Sequence, residues 1–253
     1  MIKKLSIVTM TYNCSNEVDS YLKSFQLLDR TQYDWIIIDA GSTDGTFEKL
    51  SASSELFDYF ISERDEGFYH GLNKALAMIR TPYYMVFGAD DRPEPDLLES
   101  ILGCLSADDA MLVLGGVRLM PLNKVKFAGP RWLHRFVLGR AVSHHSVGTV
   151  INMKAHALFG AYDINYRLVA DALFLKKILK GKLKVKYSDR IFGEFALGGM
   201  SSKHQLRSIV ETLLYQISEG SNVVVQVALA SARIFKWALL SRLANVLGKN
   251  SLT

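Results

Sequence analysis

The sequence predicts an α/β fold: a parallel or mostly parallel sheet with helices on both faces. Three observations carry this expectation. Short apolar runs alternate with segments of helical spacing from Leu5 to about Gly88. One run, WIIID at residues 35–39, is continuously apolar up to its acid, the pattern of a strand covered on both sides. And the runs end in small or acidic polar residues, at Asn13, Asp39 and Asp90/Asp91, where turns are needed.

Taken in order, LSIVTMTYN (5–13) is a β-rich run that stops on polar residues. SNEVDSYLKSFQLL (15–28) places Val18, Leu22 and Phe25 on one helical face. After WIIID, Gly41 and Gly45 permit a tight turn, and Ser42, Thr43 or Asp44 can cap the next helix. DYFIS (58–62) is a third strand. DEGFYHGLNKALAMIR (65–80) sets Phe68, Leu72, Leu76 and Ile79 on one side of a helix that Thr81-Pro82 stops. YYMVFG (83–88) is a fourth strand. Strand and helix alternating in this way predict βαβ units.

Composition narrows the class. The chain has 253 residues, 49% of them hydrophobic and 22% charged, enough for one large core. A net charge of +5 suits anionic partners such as phosphates. Cys14 and Cys104 form neither a metal-ligand spacing nor a disulfide framework, as expected in a reducing, cytoplasmic compartment. The apolar run after the N-terminal lysines is too short for a signal peptide, and none is long enough to span a bilayer.

The ends of the strands are where an open α/β sheet binds ligands. No GxGxxG follows the first strand and no P-loop lysine motif occurs, which argues against a dinucleotide dehydrogenase or a P-loop NTPase. The stretch MVFGADDRPEP (85–95) ends a buried-looking strand on two adjacent carboxylates, Asp90 and Asp91.

The ordered set SIVTMTYN, WIIIDAGSTDGT, SERDEGFYHGLNKAL and FGADD resembles the family 2 glycosyltransferases of the GT-A fold. A second set, SHHSVGTVINMKAHALFGAYDINYRLVADALFLKKIL and FALGGMSS, is similar to the acceptor side of the same family, nearest to bacterial exopolysaccharide and lipopolysaccharide enzymes. The resemblance implies a Rossmann-like, mostly parallel central sheet in a GT-A domain over residues 1–205, split at about residue 100 into nucleotide-sugar and acceptor halves. A helical C-terminal extension would occupy 206–253.

It also implies an inverting transfer from a nucleoside-diphosphate sugar, UDP-linked by expectation, to a saccharide or lipid-linked acceptor in surface-polysaccharide synthesis. By matching position, Thr11 and Asn13 would line the base and ribose pocket, and Asp39 would accept from uracil N3–H or a ribose hydroxyl. Asp65 and Asn73 would help hold nucleotide and sugar, and Arg64 would reach phosphate. Asp91 would ligate a divalent metal, Mn²⁺ or Mg²⁺, with Asp90 on ribose or sugar. Gly88 and Ala89 depart from the polar residues many members carry there, which puts tight metal binding in doubt.

On the acceptor side the resemblance makes Asp171 the general base, with Asp163 second in line. His144 and His145 would contact acceptor or phosphate. Ser201, in a loop loosened by Gly198 and Gly199, would donate to the diphosphate, and His204 is a weaker candidate beyond it. From Ser221 onward the chain has no acid, but carries Arg233, Lys236, Arg242 and Lys249 among apolar residues, including Phe235 and Trp237. That tail suits contact with an anionic leaflet, its own domain or a second subunit. Rival readings are a sugar-phosphate nucleotidyltransferase, which lacks its usual phosphate loop here, and an inactive nucleotide- or carbohydrate-binding module. A nucleic-acid binder would need clustered basic and aromatic residues, which only the tail approaches.

Overall fold

A computed structural model describes residues 2–105, 109–128, 146–181, 183–199 and 204–246. The predicted alternation is present through the first part of the chain. β1 (Leu5–Thr11) leads to α1 (Ser15–Gln26), β2 (Tyr33–Asp39), α2 (Thr46–Ala52), β3 (Tyr59–Ser62), α3 (Phe68–Met78) and β4 (Tyr83–Gly88). Then come β5 (Arg92–Pro93), α4 (Leu97–Cys104), β6 (Leu112–Met120), β7 (Lys124–Lys126) and β8 (Thr149–Asn152). The described chain continues through α5 (Lys154–Phe159), α6 (Ala170–Lys180), β9 (Val185–Ala196), α7 (Gln205–Ser218) and α8 (Val223–Val246).

The strands form one sheet in the order β3-β2-β1-β4-β8-β6-β9-β5, with β7 paired to β6. β3, β2, β1 and β4 are mutually parallel, as the βαβ pattern requires. Beyond β4 the sheet is mixed: β8 runs antiparallel to both β4 and β6, while β9 lies parallel to β6. The chain winds outward from β1 to β3, then returns to lay β4 on the other side of β1. That reversal makes the carboxyl ends of β1 and β4 the switch point at which open α/β sheets bind their ligands.

Period-two alternation divides the core into two layers. Leu5, Ile7, Trp35, Ile37, Met85 and Phe87 face one way and pack on Val18, Tyr21, Leu22 and Phe25 of α1 and Leu97, Leu98 and Ile101 of α4. Val8, Met10, Ile36, Ile38, Tyr84 and Val86 face the other way, onto Tyr69, Leu72 and Ala75 of α3 and Phe174, Leu175 and Ile178 of α6. Both faces of β1, β2 and β4 are thus dry, which explains their nearly unbroken apolar runs, whereas the edge strand β3 is exposed or half-buried along its length.

The second half is tied to the first at β5. Arg92 and Pro93 pair with Glu194 and Gly193 of β9. A β-carbon at Gly193 would stand 2.6 Å from the Arg92 carbonyl oxygen, so glycine is what lets the two strands come this close. This seam holds the turn that carries Asp90 and Asp91. At the far end, α7 packs on α6 through Tyr215, Val169 and Leu173, and α8 packs on α7. No helix among the described residues is long and apolar enough to cross a membrane.

Candidate active site

Three strand ends meet around Asp39. Its carboxylate is fully buried and accepts from the Thr11 hydroxyl at 3.0 Å, the Ser62 hydroxyl at 2.6 Å, and both the amide and hydroxyl of Ser42 at 2.9 and 2.5 Å. A carboxylate offers about four lone-pair sites, and four donors of the chain itself occupy them. Asp39 therefore acts here as a hub that draws the ends of β1, β2 and β3 together, and Thr11 is buried with it. Asn13 stands outside this hub. It sits at φ +46°, a left-handed backbone that asparagine tolerates, and its side-chain oxygen accepts from the Thr43 amide at 2.9 Å. Beside it Tyr12 is 58% exposed, a large aromatic left open on the rim of the central strand. Sequence reasoning passed over Tyr12; its signal was an aromatic placed between the polar residues that end a strand.

Past β3, Asp65 Oδ1 accepts from the Gly67 amide at 2.9 Å, while Oδ2 is buried with no hydrogen-bond partner among the described residues. An orphaned buried oxygen is costly, and a ligand hydroxyl or amide would satisfy it. Asn73 is engaged within the chain. Its side chain clamps one residue of the second half, donating to the Tyr162 carbonyl at 2.9 Å and accepting from the Tyr162 amide at 3.0 Å. This two-point clamp positions the loop before α6 and leaves one amide N–H of Asn73 outside it. Arg64 is exposed on the surface beside Asp65.

The two acids after β4 part company. Asp91 is 2% exposed; Oδ2 accepts from the Gly88 amide at 2.8 Å and Oδ1 from the Ala196 amide at 3.2 Å. Burial, reinforced by the charge of Asp90, pushes its carboxyl up to about 7. Arg92 locks the turn from outside, donating to the Ala89 and Asp91 carbonyls. Asp90 is exposed. A β-carbon at Gly199 would lie 3.8 Å from Asp90 Oδ2, so the glycine loop after β9 passes beside this carboxylate. Asp91 is the acid expected to ligate a metal; here each of its oxygens accepts from one backbone amide, and the exposed carboxylate of the pair belongs to Asp90. Among the described residues no group of three or more His, Cys, Asp or Glu could cage a metal. One exposed acid backed by a second fits a hard cation that takes its other ligands from phosphate and water.

Asp171 lies in the first turn of α6, where the helix dipole favours an acid. Its Oδ1 accepts from the Tyr69 hydroxyl at 2.7 Å and from the Ala172 amide at 2.7 Å. Tyr69 comes from α3, two residues past the Gly67 amide that Asp65 holds. Burial and the Asp171 charge raise its hydroxyl well above the ordinary range, so it remains a proton donor. The sequence reading of this helix does not single out Tyr69; a tyrosine on a buried face needs a polar partner, and that was the signal. Asp163 Oδ1 is engaged locally, accepting from the Asn165 amide and side chain at 3.0 and 2.8 Å. His204 is exposed at the N-cap of α7, where its carbonyl accepts from the Ser208 amide. His144, His145 and Ser201 lie outside the described residues.

One turn along α6 from Asp171, Phe174 stacks on His156, centroids 4.2 Å apart. His156 Nδ1 is 2.9 Å from the Gly160 carbonyl and Nε2 is 2.6 Å from the Tyr84 hydroxyl, which in turn is 2.6 Å from the Tyr162 hydroxyl. A carbonyl only accepts, so Nδ1 carries the proton, Tyr84 donates to Nε2 and Tyr162 donates to Tyr84. Burial holds the His156 pKa below its usual value. The unfolded chain then takes up a proton that the folded chain refuses. The stability this neutral ring contributes is complete above about pH 6.5 and is lost as pH falls through the folded value. Asp91, with its raised carboxyl, works in the opposite direction, so a comparison of variants is needed. The gap in melting temperature between the parent and His156→Phe is expected to narrow on going from about pH 7.5 to 5, with a ceiling of about 1.4 kcal/mol per pH unit. A gap constant with pH would remove the neutral-histidine assignment.

The family model described as Glycosyl transferase family 2 matches residues 6–164, more than half of the chain. The chain belongs to glycosyltransferase family 2. Its fold is that of the GT-A glycosyltransferases. Over 176 residues it is 27% identical to an uncharacterised glycosyltransferase of Mycobacterium tuberculosis, covering 68% of this chain and 67% of the relative. Over 94 residues it is 29% identical to a teichoic acid poly(glycerol phosphate) polymerase of Staphylococcus epidermidis, covering 36% of this chain and 13% of that one. Among solved structures it is similar to S. aureus TarS 1–349 in complex with UDP, with TM-score 0.67, 13% identity, and 91% of this chain and 70% of that chain covered. The mannosyltransferase PcManGT of Pyrobaculum calidifontis, in complex with GDP-Man and Mn²⁺, also matches with TM-score 0.67, at 16% identity over 97% of this chain and 81% of its own. The chain spans 43% of the longer TarS structure it matches.

Proposed function

We propose that this family 2 glycosyltransferase moves one sugar from a nucleoside-diphosphate sugar, UDP-linked, to a saccharide or lipid-linked acceptor of a bacterial surface polymer, with inversion. The observation that carries the reading is the Tyr69–Asp171 hydrogen bond. It fixes an acid of the second half, 102 residues away in sequence, onto the helix whose first turn borders the orphaned Asp65 oxygen. This contact supports reading Asp171 as the group that accepts the acceptor's hydroxyl proton, with the donor at the strand ends. Tyr12 offers a face for the base, Asn13 and Asp65 offer polar atoms to ribose and sugar, and Asp39, Thr11 and Asn73 hold that wall in shape. A divalent cation, when bound at Asp90, supplies charge neutralisation for the leaving diphosphate. Support for a metal comes from the acid pair and from the Mn²⁺ complex of PcManGT. Support for UDP comes from the TarS complex, and for a surface-polymer acceptor from the named activity of the staphylococcal relative.

A panel of nucleotide sugars tests this by thermal shift, because a ligand of the folded state alone raises the melting temperature. A UDP-sugar with Mn²⁺ is expected to stabilise the protein by several degrees, more than the same sugar without metal, and more than GDP- or dTDP-linked sugars. Stabilisation by a GDP-sugar instead would reassign the nucleotide. Turnover of sugar phosphate with nucleoside triphosphate would install the nucleotidyltransferase reading, and donor binding without any transfer or hydrolysis the inactive module.

A further inference from the structure

We propose that the C-terminal helix pair, α7 and α8, docks on an anionic lipid surface, with α8 lying along the membrane and not across it. α8 has two different long faces. Gln226, Ala230, Arg233, Trp237 and Ser241 recur at helical spacing and are buried or half-buried, which marks the side turned toward the protein. Val224, Ala228, Ser231, Phe235, Leu239 and Arg242 recur on the opposite side, and all six are exposed. Within that outer stripe Val224 is 77% exposed and Phe235 72%. A surface helix ordinarily turns a polar face to water. Here the outward face is apolar along most of its length, so an apolar medium or partner is what completes it. On α7, Leu206, Val210 and Leu214 form a further exposed stripe, four residues apart each time.

Charge chooses the occupant. Residues 221–253 hold four Lys or Arg and not one Asp or Glu. Lys236 and Arg242 are exposed, Lys236 to one side of the apolar stripe and Arg242 at its end. A second copy of this chain, meeting itself about a two-fold axis, would set one acid-free basic face against another, and the repulsion would be unrelieved. An anionic leaflet offers the complement: phosphate headgroups for the basic side chains and an acyl boundary for Val224, Phe235 and Leu239. The mounting gives the contact a consequence. α7 packs through Tyr215 on Val169 and Leu173, and its Gln216 accepts from Lys176. The docking platform is thus bolted to α6, the helix whose first turn carries Asp171.

The test uses the full chain and two vesicle types, equal parts phosphatidylglycerol and phosphatidylcholine, and phosphatidylcholine alone. Co-sedimentation with the anionic vesicles is expected, at least about tenfold stronger than with the neutral ones, and weakened by added salt. Val224→Ser/Phe235→Ser/Leu239→Ser and Lys236→Glu/Arg242→Glu are each expected to reduce binding by about tenfold or more. All five positions are exposed, so the melting temperature should hold, and light scattering should report a monomer throughout. The proposal is overturned if the parent stays in the supernatant with both vesicles, or if both variants bind like the parent. It is also overturned if the parent is a dimer that the serine variant dissociates. None of these readouts depends on the donor or the acceptor, so failure here leaves the enzymatic reading standing.

Discussion

Asp171→Asn is expected to lower turnover by about a hundredfold or more while leaving UDP affinity within a few-fold of the parent. The argument rests on what the substitution keeps. Tyr69 O–H and the Ala172 amide both donate to one oxygen, Oδ1. Asparagine retains a carbonyl oxygen able to accept both, so α6 keeps its start and Tyr69 keeps its partner. What disappears is the capacity to take a proton from an acceptor hydroxyl. Tyr69→Phe separates positioning from chemistry: it removes one restraint on the carboxylate and should cost less than Asp171→Asn, with a shifted pH profile. The rival base, Asp163, already holds Asn165 in its own turn. If Asp171→Asn turns over within a few-fold of the parent and Asp163→Asn is dead, the base is Asp163 and the Tyr69 contact is purely architectural.

The first half of the fold was legible because three of its strands, β1, β2 and β4, are dry on both faces. WIIID cannot be an amphipathic surface element, and Val18, Leu22 and Phe25 were correctly placed on the core side of α1. The turn after β2 was foreseen but not its cap: the N-cap of α2 is Gly45, at φ +95° and with no side-chain bond, in place of Ser42, Thr43 or Asp44. Asp44 instead accepts from the Thr46 hydroxyl and amide and from the Ser15 amide, which hold its carboxyl below the usual range. The second half hid itself. In β6, Gly115 and Gly116 interrupt the apolar run, and the reason is visible only in three dimensions: β-carbons there would meet the Phe192 and Phe127 rings at 2.6 Å.

Site residues follow the same division. That polar groups gather at strand ends could be read from the pattern of runs. Which of them point outward could not, because outward and inward acids have the same letter. Asp39, expected at the nucleotide, also gathers four donors of the chain. Asn73, expected at the nucleotide and sugar, also clamps Tyr162, a contact 89 residues distant. Tyr69, which no sequence pattern singled out, holds Asp171. These internal partners are long-range hydrogen bonds, and such bonds leave no local periodicity.

The adjacent pair Asp90 and Asp91 gives the sharpest version of that problem, and the two substitutions are expected to behave oppositely. Asp90→Asn should leave the melting temperature without metal nearly unchanged, since an exposed side chain is altered. It should abolish the extra stabilisation that Mn²⁺ or Mg²⁺ adds to UDP binding, and reduce turnover by about a hundredfold or more if leaving-group neutralisation depends on it. Asp91→Asn should act on the fold. Its two oxygens accept from the Gly88 and Ala196 amides. Asparagine has one acceptor oxygen and one NH₂, so one buried amide loses its partner and faces another donor. That costs about 1–3 kcal/mol, enough to lower the melting temperature by several degrees in a chain of this size. The seam between β5 and β9 would loosen, and activity would fall with it, but a residual metal-dependent increment should persist in the molecules that remain folded. The discriminating measurement is the thermal midpoint of each variant with UDP, with metal, and with both. Loss of the metal increment in Asp91→Asn at an unchanged starting midpoint, with Asp90→Asn still responding to metal, would return the metal to Asp91 and require its carboxylate to turn outward on donor binding.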